Sequence, residues 1–146
     1  MIVILCDGAS KGNPGPASIG VVVWERGDNP KIIKPTRHWH ETLPGIRTNM
    51  EAEWEALLSA LKWMFATNNQ NEDVSNLYSK QEVFIFSDSQ VVVKQAIGEY
   101  KVKHDNIKPL YAEFKRYMKG VKNIHIQWVP RQLVYLADKA ANRKEK

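Results

Sequence analysis

The sequence is poor in cysteine and in long apolar runs, and each shortage excludes a class of protein. One cysteine, Cys6, allows no internal disulfide and no cysteine-based metal site. No apolar run approaches the roughly 20 residues that a transmembrane helix needs. The apolar start at residues 2–6 is too short for a secretory signal and has no basic lead-in. We therefore expect a cytoplasmic protein that has no membrane partner.

The composition is that of a folded domain rather than a disordered chain. The chain has 146 residues, 43% of them hydrophobic, and it contains five tryptophans. That aromatic content is too high for a solvated chain. The length suits one domain with a substantial core and leaves no room for a second domain and a linker. We expect residues 1–146 to form a single domain and the protein to be a monomer.

Basic residues outnumber acidic residues by five, and the excess lies in one part of the chain. Residues 94–122, called here the lysine segment, contain eight basic and three acidic residues, and the rest of the chain is balanced. The segment is either a solvated helical face or a surface that contacts phosphates. Its basic residues are Lys94, Lys101, Lys103, Lys108, Lys115, Arg116, Lys119 and Lys122.

Hydrophobic patterning predicts an α/β fold with elements in the order βββαβααβα, a five-stranded mixed sheet flanked by helices. Thr48 or Asn49 caps the first helix. The predicted strands are residues 1–7, 19–24, 31–42, 83–86 and 123–129. The first helix has an apolar stripe formed by Leu57, Leu61, Met64 and Phe65. The later helices are residues 91–97, 105–119 and 133–143. Turns are predicted at residues 8–16 and 27–30, and a loop at residues 68–80.

Two aspartates follow buried strands of the predicted sheet. Asp7 ends the first strand, and Asp88 comes just after the fourth. The edge of a sheet at which parallel strands end is where α/β proteins build their sites. Each aspartate taken alone also fits an ordinary role as a turn or cap residue.

A third acid, Glu53, lies on the core face of the first helix. Helical periodicity puts it on the same face as Leu57 and Leu61, whereas Glu51 and Glu55 point away. A core-facing carboxylate needs a partner or a cation. The alternative is a partly exposed glutamate at a helix end that favours negative charge.

If these three acids converge, their mutual repulsion must be relieved by raised pKa values or by bound divalent cations. There is no cluster of histidine and cysteine that would suit zinc, and carboxylate oxygens suit Mg²⁺ or Mn²⁺. Carboxylates, such cations and a basic surface together point to phosphodiester chemistry with two metal ions.

Four motifs follow one another along nearly the whole chain. They are D-G-A-S-K-G-N-P-G-P from Asp7, T-N-M-E-A-E-W-E-A-L from Thr48, S-D-S-Q-V-V from Ser87, and W-V-P-R from Trp128 with Ala137-Asp138 beyond it. In this order and spacing they resemble the motifs of type 1 ribonuclease H. The resemblance implies a ribonuclease H-like fold.

The same resemblance implies an endonuclease that hydrolyses the RNA strand of an RNA–DNA hybrid and leaves 5′-phosphate and 3′-hydroxyl ends. It implies two Mg²⁺ ions, with Mn²⁺ as a substitute. The implied catalytic and metal-binding residues are Asp7, Glu53, Asp88 and Asp138. The implied contacts to the hybrid are Gly12, Asn13, Thr48, Asn49, Gln90 and Arg131, with Thr48 resembling a contact to DNA phosphate.

The chain departs from the family pattern in several places. Met50 stands where the family has a second asparagine, which puts one minor-groove hydrogen bond in doubt, and Trp54 replaces a tyrosine as a packing change. The loop after Val129 has no histidine, and His125 lies before that loop. The extra basic helix of some bacterial members does not fit into residues 98–108, and the lysine segment is a candidate substitute.

Two other functions remain open from the sequence. A non-catalytic nucleic-acid-binding module could use the same fold, although acids that face phosphates would give a binder no advantage. A nuclease that also cuts double-stranded RNA is the second alternative.

Overall fold

The computed structural model describes residues 1–25, 35–70 and 81–135. Three strands come first, and a long helix, a fourth strand, two further helices and a fifth strand follow. The strands are β1 (Ile2–Ser10), β2 (Gly15–Glu25), β3 (Arg37–Arg47), β4 (Val83–Ser87) and β5 (Ile124–Trp128). The helices are α1 (Asn49–Gln70), α2 (Gln90–Ala96) and α3 (Lys108–Met118), and a short 3₁₀ turn covers Arg131–Leu133.

The five strands form one mixed sheet in the order β3-β2-β1-β4-β5. β1 pairs antiparallel with β2 and β2 antiparallel with β3, which gives the predicted meander. β1 pairs parallel with β4 and β4 parallel with β5, so these connections cross over through helices. This architecture confirms the predicted fold class, and it puts β1 at the centre of the sheet.

Helix α1 packs on one face of the sheet and supplies much of the core. The predicted stripe residues Leu57, Leu61 and Met64 are fully buried there, whereas Phe65 is only partly buried. The opposite face has a smaller cluster that includes Leu5 and Val134. Both faces of β1 are therefore covered, which explains its continuous apolar run.

The first hairpin is tighter than the sequence predicts. The predicted turn at residues 8–16 was wrong at both ends, because β1 continues to Ser10 and β2 begins at Gly15. Ladder pairing between Gly8 and Ile19 and between Ser10 and Ala17 compensates for the weak strand propensity of glycine and serine. The turn shrinks to residues 11–14.

The third strand lies later than predicted. It spans Arg37–Arg47 rather than residues 31–42, and it passes through Pro44. A proline is tolerated here because β3 is at the edge of the sheet and pairs with β2 alone. The predicted strand start at residues 31–34 and the predicted turn at residues 27–30 lie outside the described residues.

The helical predictions hold for α2 and α3. Three valines begin α2, but the Ser89 hydroxyl accepts a hydrogen bond from the Val92 amide at 3.4 Å and starts the helix. In α3, Phe114 is buried, and the helix begins at Lys108, three residues after the predicted start at residue 105. Among the described helices, none has the length and apolar character that crossing a membrane requires.

Two further predicted elements begin at the wrong residue, and part of each lies outside the described residues. Helix α1 extends to Gln70, into the loop predicted at residues 68–80, and residues 71–80 are outside the described part. The helix predicted at residues 133–143 starts too early, since Leu133 belongs to a 3₁₀ turn. Residues 136–146 lie outside the description.

Candidate active site

Three carboxylates from three elements meet at one edge of the sheet. Asp7 comes from β1, Glu53 from the start of α1 and Asp88 from the residue after β4. One carboxylate oxygen of each lies within 4.8 Å of the others. Asp7 is only 3% exposed, and the other two are half-buried. We call these three residues the acidic cluster.

The topology explains this convergence. β1 and β4 are parallel neighbours, so their carboxyl ends lie at the same edge of the sheet. α1 reaches that edge because Gly8 has no side chain: a Cβ there would lie 2.1 Å from the Ala52 carbonyl oxygen. The backbone of β1 therefore touches α1 directly, one residue before Glu53.

Both carboxylate oxygens of Glu53 accept hydrogen bonds from the protein. The Gly8 amide donates to Oε1 at 3.2 Å, and the Ser87 hydroxyl donates to Oε2 at 3.4 Å. Ser87 is buried, and its oxygen also accepts the Ser89 amide at 3.1 Å. A single hydroxyl thus connects Glu53 to the start of α2.

The peptide that carries Asp88 is held from the neighbouring strand. The Trp128 indole donates to the Asp88 carbonyl oxygen at 3.1 Å, and the Val129 amide donates to the Ser87 carbonyl oxygen at 3.0 Å. The end of β5 therefore fixes the backbone between β4 and α2.

Burial and nearby negative charge perturb the ionisation of Glu53. Burial raises the pKa of Glu53 from its ordinary value of 4.5 to about 7, and the nearby charge of Asp88 adds to this. Hydrogen bonds with Asp7, Gly8 and Ser87 act in the opposite direction on that pKa. Burial, followed by the three acidic charges, also raises the pKa of the neighbouring Cys6 thiol.

The donor set fits a hard divalent cation. All the oxygens come from carboxylates, and their mutual repulsion is relieved when a cation neutralises them. Cys6 is no competing ligand, because metals bind the thiolate and the raised pKa keeps its thiol protonated. Carboxylates are typical ligands of Mg²⁺ and Mn²⁺.

The other two acids near the start of α1 are used elsewhere, as their spacing predicts. Glu51 and Thr48 form a reciprocal capping box, with amide-to-side-chain distances of 2.9 and 3.1 Å. Glu55 pairs with Arg47 at 3.2 Å. Among these three glutamates, Glu53 alone reaches the acidic cluster.

The turn at residues 11–14 is fastened to the start of α1 through two asparagines. The Asn13 side-chain oxygen accepts the Asn49 amide at 3.0 Å. The Asn49 side-chain oxygen accepts the Ser10 amide and hydroxyl at 3.0 and 2.8 Å. Each side-chain oxygen thus accepts from the protein, and the amide NH₂ groups are the donors that the two side chains present to a ligand. Gly12 has a positive φ of 77° in this turn, a conformation that favours glycine.

Two of the remaining sequence-predicted residues follow the strands that end at this edge. Gln90 is exposed at the first position of α2, two residues after Asp88. Arg131 is exposed in the 3₁₀ turn that follows β5. Asp138 lies outside the described residues. His125 lies on β5, where it stacks on Phe84 and pairs with Glu82.

The two substituted motif positions on α1 both face the protein interior. Trp54 is fully buried, and its indole donates to the Gln95 side-chain oxygen at 3.0 Å. The tryptophan that stands in place of the tyrosine is therefore a core residue. Met50 packs against the same core cluster.

Three residues of the site were not predicted, namely Gly8, Ser87 and Trp128. All three stand in recognised motifs, but their roles are contacts between distant segments. A glycine directly after a strand-ending aspartate was the one local signal for a close backbone approach.

Comparison with known proteins assigns the family. The reverse transcriptase-like family model matches residues 5–144. The bifunctional protein Rv2228c of Mycobacterium tuberculosis is 33% identical over 141 residues, which are 97% of this chain and 34% of that protein. Ribonuclease HI of Halobacterium salinarum is 29% identical over 136 residues, covering 93% of this chain and 60% of that protein. This chain spans about a third of the length of the mycobacterial relatives.

Solved structures agree with this assignment. The crystal structure of LC11-RNase H1, isolated from compost, in complex with an RNA/DNA hybrid has a TM-score of 0.76 and 32% identity, covering 97% of this chain and 94% of that one. The N-terminal RNase H domain of Rv2228c gives 0.74 and 32%, covering 97% and 90%. The chain belongs to the reverse transcriptase-like family and has the fold of the type 1 ribonucleases H.

Proposed function

We propose that this chain is a metal-dependent endonuclease that hydrolyses the RNA strand of RNA–DNA hybrids and leaves 5′-phosphate and 3′-hydroxyl ends. The observation that carries the proposal is the acidic cluster, with three carboxylate oxygens within 4.8 Å of one another at the edge where β1 and β4 end. The hybrid bound to LC11-RNase H1, at 32% identity, supports the substrate class.

We assign the cation ligands to Asp7, Glu53 and Asp88, with Asp138 added from its motif alone. Two Mg²⁺ ions are the proposed cofactors, and Mn²⁺ is a proposed substitute. When bound, such ions activate the attacking water and stabilise charge on the departing oxygen. The protein's own part is to keep the carboxylates in place: Gly8 and Ser87 orient Glu53, and Trp128 restrains the peptide of Asp88.

Recognition of the RNA strand is assigned to donors around the turn at residues 11–14. The amides of Asn13 and Asn49 donate, and a ribose 2′-hydroxyl or a minor-groove base acceptor accepts. Gly12 permits a close backbone approach. Thr48 keeps its hydroxyl proton for a DNA phosphate, because its oxygen only accepts in the capping box.

Gln90 and Arg131 complete the proposed contacts to the hybrid. Both are exposed, and they follow β4 and β5, the two strands that end beside Asp88. We also propose that residues 1–146 form one ribonuclease H domain that works as a monomer in the cytoplasm. The length of the chain supports a single domain.

A cleavage assay tests the proposed function. Matched RNA–DNA hybrid, double-stranded RNA and double-stranded DNA are incubated with Mg²⁺, with Mn²⁺ or with a chelator. We expect cleavage of the RNA strand of the hybrid with either ion and none with the chelator. An intact hybrid under all conditions contradicts the proposal, and equal cleavage of double-stranded RNA contradicts hybrid specificity.

A further inference from the structure

A cavity lined by tyrosines and lysines lies between α3 and the turn that follows α2. Its volume is about 670 Å³, and it is open to solvent. We call it the tyrosine cavity. Its lining includes Tyr100, Lys101, Lys108, Tyr111 and Lys115.

The turn that carries Tyr100 is held in place by backbone contacts. Gly98 adopts a positive φ of 87°, and the amides of Glu99 and Tyr100 both donate to the Lys94 carbonyl oxygen, at 2.8 and 3.0 Å. The Lys94 ammonium lies 5.0 Å from the centre of the Tyr100 ring. Tyr100 is still 46% exposed, so a fixed aromatic surface faces solvent.

The second ring is anchored in the core. Tyr111 meets Trp54 edge to face with ring centres 6.0 Å apart. The Lys115 ammonium lies 5.9 Å from the centre of the Tyr111 ring. Each tyrosine of the cavity therefore has a cation beside it.

Aromatic surfaces with neighbouring cations suit an unpaired nucleotide. Its base stacks on a ring while its phosphate meets an ammonium group. A duplex suits the cavity less well, because its bases are already stacked and only its convex backbone reaches the protein. The charge of the lysine segment matches a polyanion.

The position of the cavity suits a strand that continues beyond the acidic cluster. Asp88 lies just before the start of α2, and the cavity begins at Gly98, just past its end. The seven residues of α2 span about 10 Å. That distance corresponds to roughly three stacked nucleotides.

We propose that the tyrosine cavity binds an unpaired nucleotide of a single-stranded extension on the hybrid, with Tyr100 as the stacking surface. This inference rests on the proposed function for its choice of substrate. It assigns the lysine segment a preference for hybrids that carry a single-stranded end over blunt hybrids.

Binding of hybrids to the whole chain, measured by fluorescence anisotropy in the presence of a chelator, tests the cavity without any cleavage. The dissociation constants of a blunt hybrid and of the same hybrid with a single-stranded extension of about six nucleotides are compared. We expect the extension to lower Kd about tenfold in the unaltered protein. Tyr100→Ala brings the ratio of the two constants close to one, whereas Tyr100→Phe preserves it.

Tyr135→Ala is the matched control, because Tyr135 is also exposed but does not line the cavity. It should leave the ratio unchanged, and melting temperatures verify that each variant is folded. Equal binding of both hybrids by the unaltered protein overturns the cavity proposal, as does an equal loss for both in Tyr100→Ala. If Mg²⁺ supports no cleavage but the Tyr100-dependent ratio remains, the proposed function fails and the cavity assignment stands.

Discussion

The acidic cluster and the lysine segment carry charge in opposite ways. The three acids are buried or half-buried, and Glu53 is held by protein hydrogen bonds on both oxygens. The basic residues of the lysine segment are mostly exposed, and Lys108 pairs with the exposed Asp105. Charges interact strongly where water is excluded and are screened where it is present. Single changes in the cluster should therefore have large effects, and single changes in the segment small ones.

The largest effect is expected from Asp88→Asn. Removing this charge weakens the hold on the divalent cations, so we expect kcat for the hybrid to fall about 10³-fold or more, with binding of the hybrid retained. Single-turnover cleavage measures the rate of the chemical step, and binding of the hybrid in the presence of a chelator measures its affinity. The matched control is Asp105→Asn, at a side chain that is 96% exposed. A similar loss in both variants would remove the contrast between the two regions.

The next effect is on stability as pH changes. The folded protein raises the pKa of Glu53 from 4.5 to about 7, so it binds this proton more tightly than the unfolded chain does. The contribution of Glu53 to stability without metal is therefore greatest below about pH 4.5, and this contribution falls by about 3 kcal/mol as pH rises to 7. Denaturant unfolding of the unaltered chain and of Glu53→Gln measures this.

Glu53→Gln should lose this fall, and Mg²⁺ should restore stability to the unaltered chain at pH 8 by neutralising the cluster. Identical pH profiles for the two proteins would contradict the raised pKa of Glu53.

A smaller effect is expected from Ser87→Ala. The change removes the hydroxyl that donates to Glu53 and accepts from Ser89, so the carboxylate is less well oriented. We expect the Mg²⁺ concentration for half-maximal activity to rise about 10-fold to 100-fold, with KM for the hybrid little changed. The Mg²⁺-induced shift in melting temperature should shrink in parallel. Ser87→Thr retains the hydroxyl and should behave like the unaltered chain, and equal losses in both variants would indicate a packing defect.

The smallest effect is expected in the lysine segment. Charge reversal at Lys101 and Lys103 should raise KM for the hybrid a few-fold at moderate salt, with kcat nearly unchanged, and should flatten the salt dependence of binding. Steady-state kinetics at several salt concentrations measure this. The control is Lys62→Gln on α1, where an uncharged side chain avoids a like-charge contact with Glu113. If KM stays unchanged at moderate salt, the lysine segment does not contact the substrate.

The residues that sequence reasoning placed correctly are those with a strong local period. Helical spacing alone separated Glu53 from Glu51 and Glu55, and the structure has Glu51 in a capping box and Glu55 in an ion pair. The carboxyl ends of β1 and β4 followed from two buried apolar runs. These features depend on short-range patterns, which a sequence displays directly.

The features that could not be predicted depend on contacts between distant segments. Pairing with β2 carries β1 through Gly8 to Ser10 against local propensity. Likewise, Asn13 and Asn49 lie 36 residues apart, and the local sequence around each asparagine does not predict the hydrogen bond between them. Such contacts arise from tertiary packing, which overrides weak local preferences.

The hydrogen bond from the Trp128 indole to the Asp88 carbonyl oxygen makes the fluorescence of this indole sensitive to the site. Its ring is 47% exposed while its N–H is tied to the peptide of a proposed ligand. Indole emission responds to hydrogen bonding and to nearby charge, so filling of the acidic cluster should alter this fluorescence without an added label. Trp128 would thus report the occupancy of the proposed cation site from within the chain.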